Sequence, residues 1–179
     1  MEVWQSIASL REFEDYIVVK APVPEYNEDS YQLAYGYCKE NKCGSFDTNW
    51  GCNPGAKRDV PEFYSTIDYV LIIRRTFDVS VDDKEMIETI TDDMQRTVRK
   101  MIKDLDDNGL SCEGFLDGPC KYCGKCAYPE PCRFPEMKVA SVSTLGIDLK
   151  NYFASVGIDF EFKKDSITLY GLVFIKKSA

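Results

Sequence analysis

Cys120-Lys-Tyr-Cys123-Gly-Lys-Cys126-Ala-Tyr-Pro-Glu-Pro-Cys132 places four of the chain's eight cysteines within thirteen residues. Two gaps of two residues followed by a gap of five let one short loop wrap a single ion or cluster with thiolates, as in the cysteine runs of bacterial-type ferredoxins. A four-thiolate zinc site more often pairs two such doublets across a longer insert. The spacing therefore predicts a [4Fe-4S] cluster on Cys120, Cys123, Cys126 and Cys132, with zinc as the alternative and disulfides behind both. Whatever surrounds this run must fold so that an irregular loop can close on itself.

A second group, Cys38, Cys43 and Cys52, lies in a stretch broken by Gly44, Gly51 and Asn53-Pro54-Gly55. Turn residues of this kind bend a backbone enough to aim several sulfurs at one point. Its gaps of four and eight match no standard signature, and three thiols leave a fourth position for Cys112, a carboxylate, water or a substrate. The cofactor count is thus one or two clusters per chain. Small buried apolar thiols are the competing reading of this group, and a packed thiol is the simpler reading of Cys112.

The chain has no histidine. That removes imidazole as a ligand, the Ser-His and Cys-His nucleophile pairs, and the usual proton carrier near neutral pH. With a net charge of −8, non-specific nucleic-acid binding has no electrostatic basis. Lys39, Lys42, Lys57 and Arg58 beside the amino-terminal cysteine group, and Lys121, Lys125, Arg133 and Lys138 beside the four-cysteine run, are locally in excess over acids. Cations beside thiolates lower their pKa and offset cluster charge, although scattered surface lysines would give the same pattern. The apolar runs Tyr69 to Ile73 and Leu169 to Ile175 are far too short for a membrane span. The opening Met-Glu-Val-Trp-Gln-Ser lacks the features of an export signal, so the expected compartment is the cytoplasm, where clustered thiols are ligands or redox groups.

At 179 residues, 44% hydrophobic and 29% charged, the composition fits one globular domain, 1–179, with cysteine-rich loops at 38–58 and 118–138. Periodicity predicts an amphipathic helix in residues 1–15, an edge strand from Tyr16 to Lys20, and a strand through Tyr31, Leu33, Tyr35 and Tyr37 that delivers the chain to Cys38. A central strand follows over Asp68 to Phe77, then a long helix on Met86, Ile87, Ile90, Met94, Val98, Met101, Ile102 and Leu105, stopped by Asn108-Gly109. Leu110 to Leu116 is a further strand, making a βαβ unit. Ser143 to Val156 reads as a second helix, and Ile158 to Phe162 with Ile167 to Ile175 as a hairpin. The fold class expected is α/β, with α+β as the alternative, on a mixed sheet whose strand ends carry the cysteine loops.

Gly118-Pro-Cys120-Lys-Tyr-Cys123-Gly-Lys-Cys126, Pro131-Cys132-Arg133-Phe134-Pro135 and Ser143-Thr-Leu-Gly146-Ile147-Asp148 together resemble the signature of the cysteine-rich predicted metal-binding proteins grouped as domain of unknown function 2284. Cys38, Cys43 and Cys52 match that family's amino-terminal cysteine group, with Asn53-Pro54 where the family pattern has Pro-Pro; Cys112 lies outside it. The likeness covers roughly residues 30 to 160. It implies an intracellular metal or iron–sulfur protein from an anaerobic bacterium or archaeon and supplies no catalytic residue. Three functional classes follow: an electron carrier or accessory redox subunit docking on a larger redox protein, a zinc- or cluster-stabilised adaptor, and an enzyme using an open three-cysteine site.

Overall fold

The computed structural model describes residues 2–178. Five strands, β1 (Ile17–Ala21), β2 (Ile67–Phe77), β3 (Cys112–Leu116), β4 (Val139–Ser141) and β5 (Ile167–Lys176), form one mixed sheet in the order β1-β2-β5-β3-β4. β5 pairs antiparallel with both β2 and β3, and β3 pairs parallel with β4, Gly114 opposite Val139 and Leu116 opposite Ser141. The helices are α1 (Val3–Ala8), α2 (Glu28–Lys39), α3 (Val60–Ser65), α4 (Lys84–Asp107) and α5 (Leu149–Ser155). The result is an α/β fold.

Val70, Leu71, Ile72 and Ile73 of β2 are all fully buried, because helices cover both faces of the sheet. On one face Leu71, Ile73, Val173 and Ile175 pack against α4 through Met94, Val98, Met101 and Leu105. On the other, Val70, Ile72, Leu172 and Phe174 pack against Phe63 and Tyr64 of α3 and Tyr152 and Phe153 of α5. α4 behaves as its periodicity predicts. Asp83 caps it by accepting from Met86 N at 3.0 Å, and Gly109, at φ 82, closes it with Leu110 N donating to Leu105 O.

Four expectations need correction. Residues 31–37 are helix, not strand. Asn27 caps α2 by accepting from Ser30 N at 2.7 Å, Glu28 and Asp29 fill the first turn, and Lys39 sits in the last, a charge order that favours a helix. The tyrosine alternation is coincidental with an i, i+4 row, on which Tyr31 stacks on Tyr35 at 6.1 Å. Ile158 to Phe162 forms no hairpin with the last strand, because both edges of β5 are taken by β2 and β3. The central βαβ unit is therefore split: β2 and β3 point the same way with β5 between them. Finally, the helix expected from Ser143 shrinks to α5. Gly146 takes φ +60 where a Cβ would stand 2.5 Å from the Tyr26 ring, and Asp148 restarts the helix by accepting from Asn151 N at 3.2 Å.

Candidate metal centre

β3 and β4 run parallel and end together, Leu116 beside Ser141. The chain leaves β3 through Asp117 and Gly118, at φ 84, into the four-cysteine loop and returns to β4. The carboxyl ends of neighbouring parallel strands are where open α/β sheets gather ligands. The loop between α2 and α3, with Cys43 and Cys52, comes to the same end: Ser141 N donates to Gly51 O at 2.7 Å.

Cys120, Cys123, Cys126 and Cys132 line one small space together with Asn49, Trp50, Tyr122, Phe134 and Lys138. Its volume is about 20 Å³, close to what one water occupies. Tyr122 and Phe134 meet edge to face at 5.3 Å and are each 42% exposed, and the four cysteines are themselves only half-buried. Trp50 N donates to Cys126 Sγ at 3.4 Å and Asn49 Nδ2 to Cys120 O at 3.0 Å. Trp50 Nε1 reaches Glu130 O at 2.7 Å, its ring meets Tyr128 at 4.9 Å, and the Tyr128 hydroxyl donates to Asp47 at 2.6 Å. The two cysteine loops are thus one packed unit, and amide hydrogen bonds to sulfur are among the means by which a protein sets the properties of a thiolate-bound centre.

Two α4 side chains to which the sequence assigns no role hold the loop's ends. Gln95, 1% exposed, donates to Pro119 O at 2.6 Å and accepts from Lys121 N at 3.1 Å. Arg99 bonds the Gln95 oxygen, donates to Met137 O at 3.1 Å and lies 5.3 Å from the Tyr122 ring. Their signal in the sequence is faint: an i, i+4 polar pair beside Met94 and Val98 within an apolar stripe. Of the basic residues near the cysteines, Lys138 lines the space, Lys121 pairs with Asp92 at 2.7 Å, and Arg58 turns away to Glu113 at 2.9 Å.

In the amino-terminal group, Cys38 Sγ lies 3.6 Å from Ser143 Oγ and 3.8 Å from Asn53 Nδ2. Cys52 is buried and Cys43 exposed. Burial pushes the Cys52 thiol up to about 12, reinforced by Cys43, Cys38, Cys120 and Asp117. Asn53 is completely buried, and its Oδ1 has no hydrogen-bond partner among the described residues. Cys112 is elsewhere: it opens β3, at the end opposite to the loops, and its thiol donates to Ile102 O at 3.7 Å. Burial pushes it too up to about 12.

Among the described residues no three cysteine, aspartate or glutamate side chains already stand at the spacing of a metal polyhedron. The donor set nonetheless suits a thiophilic metal, with four sulfurs around one space, an amide on one of them, and a buried orphan oxygen beside Cys38 and Cys52. An apolar cavity of about 370 Å³, between Ile87, Leu116, Phe153 and Leu169, is lined by no cysteine. No helix among the described residues is long and apolar enough to cross a membrane.

Fold and site together define a cysteine-rich α/β protein whose two cysteine groups, Cys112 apart, gather at the carboxyl end of a parallel strand pair. The family model described as predicted metal-binding protein (DUF2284) matches residues 31–175. The chain belongs to that family. Comparison with curated proteins and with solved structures gives no match.

Proposed function

We propose that the chain carries a [4Fe-4S] cluster on Cys120, Cys123, Cys126 and Cys132 and acts as an electron carrier or accessory redox subunit that docks on a larger redox protein. What supports this reading above all is how shallow the sulfurs lie. Four thiols, none fully buried, line one space together with the exposed Tyr122–Phe134 pair, and electron exchange with a partner needs such a short path to the surface. Trp50 N–H on Cys126 supplies a hydrogen bond of the kind that tunes reduction potential. When bound, the cluster supplies one-electron chemistry; the chain's own part is to hold the loop through Gln95 and Arg99 and to shield the sulfurs.

One observation favours a second reading. A space of about 20 Å³ suits a single ion better than a cluster, which is what a zinc-stabilised adaptor would need. Anaerobic purification followed by iron, sulfide and zinc analysis, with electron paramagnetic resonance before and after reduction, separates the two. Iron and sulfide in equal amounts with a reducible signal are expected; zinc without sulfide refutes the redox reading.

A further inference from the structure

The amino-terminal cysteine group has three thiols and a neighbour whose side-chain oxygen finds no partner among the described residues. Asn53 follows Cys52 directly, is 0% exposed, and carries an Oδ1 without a hydrogen-bond partner among the described residues. Its amide nitrogen lies 3.8 Å from Cys38 Sγ, so the carboxamide is at the thiol group rather than merely near it in sequence. The backbone around it is fixed, with Asp47 N on Asn53 O at 3.0 Å and Ala56 N on Cys52 O at 2.7 Å. A buried carbonyl oxygen without a donor costs free energy in any folded protein, and the cost vanishes when a cation or donor meets it.

The donors at hand around Asn53 are thiols and its own neutral carboxamide. Three thiolates and a divalent ion already sum to one negative charge. A fourth thiolate would add another beside Cys120, whereas a neutral carboxamide adds none. Cys112, which could have been that thiolate, is at the far end of β3.

We infer that Asn53, through its carboxamide oxygen, is the fourth donor to a divalent transition ion, zinc or ferrous iron in class, held by Cys38, Cys43 and Cys52. The inference rests on reading the cysteine loops as metal ligands. Cys52 and Asn53 form the buried side of the set, Cys38 is half-buried, and Cys43, exposed on the loop between Asn41 at φ 51 and Gly44 at φ 71, would close it from outside. A carboxamide is the weakest donor of the four, which makes its position the one at which an exogenous ligand exchanges.

The test titrates the reduced full-length protein with Co²⁺ and with Zn²⁺ against a chromophoric chelator, reading thiolate-to-cobalt absorption and the number of tightly held ions. The wild type is expected to hold an ion that Cys43→Ala loses. Asn53→Ala is expected to weaken that same ion at least tenfold and shift its cobalt d–d bands, with the Cys120 loop unaffected. Asn53→Asp, which keeps an oxygen donor, should restore it and guards against a folding defect in the alanine variant. If Cys43→Ala loses the ion while Asn53→Ala holds it as tightly as the wild type, the three-cysteine site stands and the role of Asn53 falls. If Cys43→Ala changes nothing, the site and the inference fall together.

Discussion

Gly51 is the point at which the two cysteine loops touch, and Gly51→Ala is the sharpest test of whether they act as one unit. A Cβ at this position would stand 2.8 Å from Cys120 Cβ, 2.9 Å from Cys120 N and 3.1 Å from Asn49 Oδ1. Carbon atoms in ordinary contact are about 3.5–4.0 Å apart, so the loops must part by roughly 0.7 Å or more. The nearest obstacles are backbone and a Cβ, neither of which can rotate away. Parting the loops pulls Trp50 N from Cys126 Sγ and Gly51 O from Ser141 N. Overpacking of this kind costs about 1–3 kcal/mol, which for a chain of this size lowers the melting temperature by about 2–12 °C. The assay is thermal melting of the purified protein with parallel metal analysis, using Gly36→Ala as the control. Gly36 lies within α2 with nothing within 4 Å of its would-be Cβ, so alanine there should be neutral or stabilise by up to about 1 kcal/mol. If Gly51→Ala melts with the wild type and retains its metal, the two loops are independent and the account of a joint centre is wrong.

Gln95→Leu leaves Pro119 O and Lys121 N without their partner; it should cost about 2 kcal/mol or more and speed chelator stripping of the Cys120 loop, measured as the stripping rate at fixed chelator. Glu113 is held below the usual carboxylate range: burial alone would raise it, but Arg58 and Lys176 together outweigh burial. Its folded pKa being the lower one, its contribution is complete above the unfolded value of about 4.3 and is lost as pH falls through the folded value. Denaturant melts from pH 6 to pH 3 should therefore show a shallower acid limb for Glu113→Gln than for the wild type. In chelator-treated protein at pH 8, iodoacetamide should label exposed Cys43 well before Cys112, whose burial keeps it a thiol. Equal labelling rates by mass spectrometry would contradict the burial assigned to Cys112.

The cysteine spacing and the α4 periodicity were legible because each is a local pattern with one physical cause. α2 was misread because Tyr31 and Tyr35 satisfy both period two and the i, i+4 row of a helix, and the deciding information was the Asn27 cap. The place of β5 was illegible: Ile167 to Ile175 reads as a strand, but nothing local says that it enters between two strands far upstream. The residues that tie the centre together, Gln95, Arg99, Trp50 and Asn53, share that difficulty. Each acts across 15 or more residues of sequence on a backbone atom or a sulfur, as with Asn53 and Cys38, and such contacts leave no periodic trace.

The position of β5 has a consequence for the order in which the sheet can assemble. Val173 and Phe174, both wholly buried, sit in the middle of the sheet, yet β5 follows the other four strands in sequence. Until β5 is in place, β2 and β3 have no neighbour to join them, and each keeps an open edge. The pairing that closes the sheet is thus between segments far apart in sequence, the kind of contact that forms slowly. The four-cysteine loop leaves β3 and returns to β4, so all eight thiols precede in sequence the strand that joins the two halves of their framework.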